Sequence, residues 1–526
     1  MSVLVRNIFQ KLASGIGASL VGFDGGTMAG FFLSKNNRVV DSLAALQALD
    51  PTVYTRAFVT GFAGAGDGGG GPYRYDGTDS ATATNGGTII ASSDGKRWKH
   101  TAPALVSCLT FGVLPNGADQ SANLSNYVAA MPASGGVLYF PANASAYVIN
   151  SWPSLAGKVG LTIRGDGGVS AGAGTPTKIT IGATGSGNWI SAPGSVGLVI
   201  EGIQFAYSSS SFTGWIVSLG NNGSDCAFAK VRECGFFGSG TNLWTASAIN
   251  CDKTIEWSIE GCVFSGLTVA IGGYTTAGSY SNVGKIERCQ FSNTRYAPIN
   301  GGGQAWRVIG NTFEGFNNGT AGSAMAGSMG MSSPAIQQGL AYEGNWHGDV
   351  STAGGTWVTV FGGAVDIGKN WFGGNAGSDA IAVYSVAGLR VVSNHFDTFS
   401  AALSFGDANC TNVEYHSNEY NAVANRVGNP ANWGGYASGP YYETLLNGKI
   451  RIYGKVSVTA GTGQAVAFGV TLAAVPESIK VSLSGPAGSS STAYTTAETT
   501  TGMTLNTGGP AGASMVYWEV TGTLPG

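Results

Sequence analysis

Charge is what this chain has least of. Lys and Arg number 26 and Asp and Glu 29 among 526 residues, so charged side chains make up 10%, against about a quarter in ordinary domains. A formal net charge of -3 gives no basic footprint, which argues against duplex nucleic acid and anionic membrane surfaces as partners. Histidine occurs only 4 times, and the 7 cysteines include no CxxC pair. An odd, scattered set of that kind is neither a disulfide framework nor a zinc site. HExxH, P-loop and EF-hand spacings are missing too, so no metal and no cofactor are expected. No long apolar run is present. The first residues, MSVLVRNIFQKLASGIGASLVGF, alternate polar and apolar side chains around Arg6 and Lys11, and read as neither a signal peptide nor a membrane span.

What is abundant is glycine, 85 residues, beside 43% hydrophobic side chains. That apolar content argues against disorder, and the lack of a G-X-Y period argues against collagen. A chain of 526 residues also exceeds the roughly 250 to 300 at which single cores stop growing, so several domains or an elongated repeat is expected.

A repeat is there. WSIEGCVF (257–264), GKIERCQF (284–291), WRVIGNTF (306–313), VDIGKNWF (365–372) and LRVVSNHF (389–396) align with four further segments on one column: Ile203, Cys234, Cys262, Cys289, Asn311, Asn345, Asn370, Asn394 and Asn418. Successive steps are 31, 28, 27, 22, 34, 25, 24 and 24 residues, the spacing of one coil of a β-solenoid. Apolar residues stand five and three positions before the column, and an aromatic stands two after it. That pattern reads as a period-2 strand, a bend, and a second strand that turns its aromatic inward. Stacked coils would make the column a buried ladder in which Asn satisfies bend amides and carbonyls. Small apolar Cys fills the slot where no such bonding is needed.

This pattern resembles the right-handed parallel β-helix of the pectate-lyase-like superfamily. FGVLPNGADQSANLSNYVAAMPASGGVLYFP (111–141) is similar to that superfamily's opening, FGAxxDG, a short helix and GGxVxFP, with Asn116 in place of the usual Asp. Upstream, DSLAALQALDPTVYTRAFVTGFAGAGDGGGGPYRYD (41–76) and NGGTIIASSDGKRWK (85–99) resemble the head and neck of bacteriophage tailspikes. ASGIGASLVGF (13–23) resembles their virion-attachment segment. Downstream, IRIYGKVSV, AVAFGVTL, SIKVSLSG and SMVYWEVTG alternate with Gly/Ser/Thr turns and read as a β-sandwich.

The expected order is therefore a virion-attachment segment (1–40), a small α+β head/neck module (41–105) with a helix at 42–50, the parallel β-helix (106–428), a linker (429–447) and a C-terminal β-sandwich (448–526), all-β overall. The resemblance implies a homotrimer on the phage virion that meets other tail proteins through its N-terminus and a bacterial surface polysaccharide at the host cell. It implies no nucleic acid and no membrane insertion.

Two motif matches are discounted. GAGDGG (64–69) lacks the following helix a phosphate site needs. GVSAG (168–172) lacks the helix of a nucleophile elbow.

Outward positions, two and four before the column, concentrate the charges. Glu260 and Glu287 share one column on neighbouring coils, and Glu343 and Asp366 are diagonal neighbours expected about 7 Å apart. Trp346, Trp371 and His395 stand one position after the column on three consecutive coils, an aromatic stack suited to sugar rings. The longest coil, 34 residues, carries GTAGSAMAGSMGMSSP (319–334), a loop able to wall a groove. Glycoside hydrolysis needs one protonated and one ionised carboxyl. β-Elimination of a uronate instead needs a base plus cations, for which Arg307, Arg390, Lys285 and His347 are candidates. A polysaccharide depolymerase is the leading expectation. A non-cleaving receptor-binding spike and a purely structural tail component are the alternatives.

Overall fold

The computed structural model describes residues 22–23, 26–28, 37–102, 106–167, 176–207, 211–220, 224–238, 245–273, 281–315, 329–330, 338–348, 355–407, 409–428, 441–444, 449–459, 463–468, 472–484, 492–508 and 513–523. Most of the attachment segment, the GVSAG match, most of the expected linker and nearly all of the 319–334 loop lie outside these residues. The chain divides into two units, Met1–Ser218 with Cys226–Thr245, and Leu219–Asp225 with Ala246–Gly526.

The first unit opens with a small sheet. Ser42 caps the helix Leu43–Ala48 by accepting from the Ala45 N–H. Arg56–Val59, Gly71–Asp76, Arg97–His100 and Ile89–Ala91 pair antiparallel, and Arg38–Val40 joins Arg56–Val59 in parallel. Leu46, Ala57, Val59, Tyr73 and Trp98 form its core. The GAGDGG stretch is a turn, as its lack of a helix required: the Asp67 carboxylate accepts from the backbone N–H groups of Phe62, Ala63, Gly64 and Gly69 at 2.7–3.1 Å.

Solenoid coils follow in the same unit. The helix Ser121–Ala129 stacks Tyr127 on Phe111 at 4.7 Å, and the Tyr127 hydroxyl donates to Val106 O and accepts from Tyr139 N–H. Gly136–Phe140, Leu161–Gly165, Val199–Glu201 and Lys230–Arg232 then pair in parallel on one face. Tyr147–Ile149, Thr177–Ile181, Ile203–Tyr207 and Gly235–Gly238 do the same on the next.

The second unit continues the pattern through seven coils. Thr254–Glu260, Ser281–Glu287, Arg307–Ile309, Gln338–Glu343, Thr356–Gly368, Asp379–Val392 and Thr411–His416 pair in parallel before the bend. Val263–Ser265, Gln290–Ser292, Thr312–Glu314, Trp346–Gly348, Trp371–Gly373, His395–Asp397 and Glu419–Asn421 pair after it. The residue just before the reference column is left-handed in every coil, with φ from 53° to 64° at Gly261, Arg288, Gly310, Gly344, Lys369, Ser393 and Ser417. That requirement explains why the sequence shows glycine or a polar residue there, since a non-glycine residue in this region costs about 1–2 kcal/mol.

The asparagine ladder forms as expected. Asn345, Asn370, Asn394 and Asn418 each accept, through Oδ1, from the backbone N–H and the Nδ2 of the Asn one coil earlier, at 2.8–3.1 Å. Each Nδ2 also donates to the carbonyl three residues before the column in the preceding coil: Ile286, Val308, Tyr342, Ile367 and Val391 for Asn311 through Asn418. The cysteines correct the expectation of an unbonded filler. Cys289 Sγ donates to Ile259 O and Cys234 Sγ to Ile200 O, each at 3.6 Å, so the thiol makes a weaker version of the same bond. All seven cysteines are buried and free.

Packing inside the coils follows the same register. An indole pair, Trp257 and Trp306, meets edge to face at 5.0 Å. Gly284 leaves the space, because a Cβ there would lie 2.3 Å from the Trp257 ring. C-terminal to the solenoid, Tyr441–Thr444, Lys449–Thr459, Ala513–Thr523 and Ser478–Ser484 form one antiparallel sheet, and Gln464–Ala467, Gly502–Gly508 and Thr492–Thr496 another. Phe468, Leu505, Val516 and Trp518 belong to their shared core. Tyr441–Thr444 falls inside the span expected to be linker, yet pairs with Lys449–Thr459.

Asn370→Ala removes the acceptor for two buried donors and the donor for Tyr342 O, and is expected to destabilise by about 3 kcal/mol. Cys289→Ala, losing the weak thiol contacts to Ile259 O and Glu287 O and little volume, is expected to cost about 1 kcal/mol. Thermal unfolding midpoints check the ranking, and an Asn370→Ala midpoint no lower than that of Cys289→Ala contradicts it.

Candidate functional site

The outward charges arise from the strand period. Residues three and five before the column, such as Ile259 and Trp257 or Val391 and Leu389, are buried, and the side chains between them face solvent. Register then decides which charges meet. Glu260 stands opposite Glu287, and Lys285 bonds Glu287 directly while lying 3.9 Å from Glu260. Arg288 reaches Glu260 at 4.0 Å. The Lys285 hydrogen bond holds the Glu287 carboxyl below its usual range. A shared lysine between two carboxylates is a salt-bridge ladder, and a lowered pKa is the wrong direction for a general acid.

The other pair is arranged differently. Asp366 stands opposite Ala341 and Glu343 opposite Gly368, so the two are the diagonal neighbours that the repeat implied. Arg390 Nη1 donates to both Asp366 oxygens at 3.0 and 3.2 Å, and its Nε lies 3.4 Å from Glu414. Glu414 also meets His416 Nε2 at 2.6 Å. Glu343 is half-buried and, among the described residues, its side chain makes no hydrogen bond or ion pair. Its column neighbours are Ile309 and Gly368, neither a cation. Arg307, one coil earlier and exposed, is likewise without an ion pair among the described residues.

Across the single bend residue Gly344, Trp346 stacks on Trp371 at 5.4 Å and 6°, and Trp371 on His395 at 6.0 Å and 4°. His395 Nδ1 is 3.2 Å from Glu419. Each indole lies over the glycine two residues on, since a Cβ at Gly348 would be 2.1 Å from the Trp346 ring and one at Gly373 would be 2.3 Å from the Trp371 ring. The stack covers the faces of Trp371 on both sides. Trp371 is therefore a platform only by its edge, and Trp346, the first ring of the row, is 38% exposed with Thr312 as its strand partner on the preceding coil.

His347 corrects the sequence reading. As a candidate cation it would have to reach substrate, but it is fully buried. It occupies the inward aromatic column, stacked 4.8 Å from Phe313 and 4.6 Å from Phe372, with Tyr342 Oη 2.8 Å from Nε2. Its Nδ1 has no partner among the described residues. Two positions past the column was the inward position by the repeat's own rule, and the rule outweighs residue type.

Sequence reasoning missed a groove in the first unit of about 540 Å³, lined by Arg164, Asp166, Glu201, Arg232 and Glu233 among others. Glu201 and Arg232 lay on the outward columns, but the alignment began one coil too late to include Arg164, which stands opposite Glu201. Thr177 takes the column slot in that earlier coil, opposite Ile203. The residues inserted between Gly165 and Thr177 hide the repeat.

Residues 39–102 match the family model of the phage tail protein small four-stranded beta-sheet domain, the stretch built as the antiparallel sheet described above. Solved structures of similar chain path include the tailspike protein of Acinetobacter baumannii phage AM24, at 12% identity and TM-score 0.48, covering 96% of this chain and 97% of that one. Tailspike protein 2 of bacteriophage CBA120, its enzymatically active domain, is similar at 12% identity and TM-score 0.44, covering 99% and 89%. The tailspike gp49 of Acinetobacter baumannii bacteriophage Fri1, a capsular polysaccharide depolymerase, gives 12% identity and TM-score 0.42 over 93% and 99%. At 12% identity no site residue transfers from them. The phage tail domain places the chain in the virion tail, and the parallel β-solenoid follows it in the sequence.

Burial holds the His347 pKa down to about 3. The unfolded chain takes up this proton near pH 6.5 and the folded chain does not, so the stabilising contribution is complete above that pH and shrinks as pH falls toward 3. His347→Phe, which continues the aromatic column, is expected to remove about one proton from the pH dependence of unfolding between these limits. Denaturant midpoints across that range check it, and parallel profiles for both proteins contradict it.

Proposed function

We propose that this tailspike depolymerises a bacterial surface polysaccharide, capsule, O-antigen or exopolysaccharide, by hydrolysis at Glu343 and Asp366. The observation that carries the reading is a Glu343 carboxyl without a hydrogen bond or ion pair among the described residues, the diagonal neighbour of an Asp366 carboxylate that Arg390 holds in place. Glu343 serves as general acid toward the glycosidic oxygen, and Asp366 as the base or nucleophile. Trp346, across the bend and 38% exposed, offers an indole to a sugar ring, and Arg307 has donors to spare for hydroxyl groups.

Elimination is supported less well. Of the four cations available to neutralise a uronate, Lys285 is engaged by Glu287, Arg390 by Asp366 and Glu414, and His347 is buried. Arg307 alone of the four makes no hydrogen bond or ion pair among the described residues, although its charge helps to lower the Glu287 carboxyl. The non-cleaving spike draws its support from the Asp366, Arg390, Glu414 and His416 contacts, which also suit a surface ladder of small energetic weight. A homotrimer attached to other tail proteins through the N-terminal segment completes the proposal, with sedimentation of the full chain as its check.

Incubation of the purified protein with polysaccharide from its host is expected to release new reducing ends without unsaturated uronate absorbance. Glu343→Gln is expected to lower that rate about a hundredfold or more while polymer binding persists, and Glu287→Gln to leave it near wild type. Release unchanged in Glu343→Gln removes this residue from the mechanism. No release by the wild type from the host's own polymer removes the enzyme.

A further inference from the structure

We infer that the groove of the first unit is a separate saccharide-binding site, selective for a short run of uncharged, hydroxyl-rich sugar residues. The inference rests on the reading of the chain as a polysaccharide-engaging spike and adds a location and a ligand class to it.

The groove's volume of about 540 Å³ falls within the range of ligand sites, and its polar groups are fixed before any ligand arrives. Tyr139, Arg164, Glu201 and Arg232 occupy one register position on four successive coils. The Glu201 carboxylate is gripped by Arg232, with Nε at 2.6 Å and Nη2 at 2.5 Å, and approached by Arg164 Nε at 3.9 Å. Asp166 is held from the other side: the Tyr139 hydroxyl donates to its oxygens at 2.7 and 2.9 Å, and the Ala142 N–H donates at 3.0 Å. Burial, and then Asp166 itself, raises the Tyr139 hydroxyl to about 12, so it stays a donor. Glu233 has φ of 52° and, among the described residues, no ion-pair partner. Both arginine side chains remain more than half exposed, at 58% and 52%, with guanidinium N–H groups left over for a ligand.

The lining selects the ligand class. No aromatic side chain lines the groove, so no stacking platform favours a flat or apolar ligand. Carboxylates outnumber guanidiniums by three to two, which disfavours a uronate. Among the described residues no three acidic or metal-ligating side chains are gathered closely enough to hold a cation. What remains matched is a surface of alternating acceptors and donors over a peptide floor, where Gly165 and Gly202 touch backbone to backbone. Vicinal hydroxyls donate to Asp166 and Glu233, and ring or acetamido oxygens accept from the arginines.

The test measures binding of the full-length protein to fragments of host polysaccharide by calorimetry, with a parallel sample in which all uronates have been reduced to neutral hexoses. The double variant Asp166→Asn, Glu233→Gln is expected to lose about tenfold in affinity for both samples with an unchanged melting midpoint. Glu233→Gly, whose backbone conformation glycine accepts freely, gives a second variant that carries no folding risk and is expected to weaken both samples several-fold. Unchanged affinity in these variants, with the wild type binding, overturns the groove alone. Loss of the variants' effect on the reduced sample overturns the uncharged class. A wild type that binds neither sample overturns the polysaccharide-engaging reading and this inference with it.

Discussion

The structure depends on closing one bend per coil with its peptide groups buried. At this bend each coil passes through a left-handed residue, and the next N–H and a carbonyl of the preceding coil are bonded by column side chains. An unpaired buried peptide group costs about 1–3 kcal/mol, and the cost recurs on every coil. Asparagine meets it with one side chain, its oxygen accepting from the neighbouring coil and its nitrogen donating to the carbonyl three residues before the bend. Where cysteine stands in the column, the sulfur still reaches that carbonyl, at 3.6 Å. The ladder therefore changes residue type without changing geometry.

Once the bend is fixed, the strand period on either side of it is fixed, and the surface inherits the coil spacing. Like residues stack at the separation of neighbouring strands, about 4.8 Å. Inside, that spacing suits aromatic rings, and Phe264, Phe291, Phe313, His347, Phe372 and Phe396 form an unbroken column. Outside, it brings charges into contact range, so a sequence poor in charge still builds ion-pair ladders. The same spacing limits the tryptophans. Rings stacked with interplanar angles of 4° to 6° cover one another, and Trp346, first in the row, faces Thr312 and not a ring on the preceding coil.

Much of this was legible in the chain alone because the repeat is carried by burial. Ile259 and Trp257 had to point inward, so Ser258 between them and Glu260 beyond had to point out, and the diagonal relation of Glu343 to Asp366 followed from counting. Counting could not say which charges would be satisfied. That depends on whether a lysine or arginine of suitable length stands one coil away, as Arg390 does for Asp366. His347 was misplaced because its chemistry was weighed ahead of its position, although the position already assigned it to the core. The first-unit groove escaped for a different reason: an insertion at the bend separates Gly165 from Thr177, and a period search loses its phase across an insertion.

The uncommitted charges of the second unit sit where the charge pattern lapses. Along the column two before the bend, Glu260 and Glu287 are succeeded by Ile309, Glu343 and Gly368. Along the column four before it, Lys285 and Arg307 are succeeded by Ala341, and only then by Asp366 and Arg390. Ala341 leaves Arg307 without the neighbour its column would have supplied, and Ile309 and Gly368 leave Glu343 without a cation above or below. An ion-pair ladder stabilises by continuity, so two gaps at one level have no evident benefit to stability. They leave Glu343 and Arg307 without an ion pair among the described residues. The proposed hydrolysis draws on that capacity, because a sugar has to be held and a proton passed to its glycosidic oxygen.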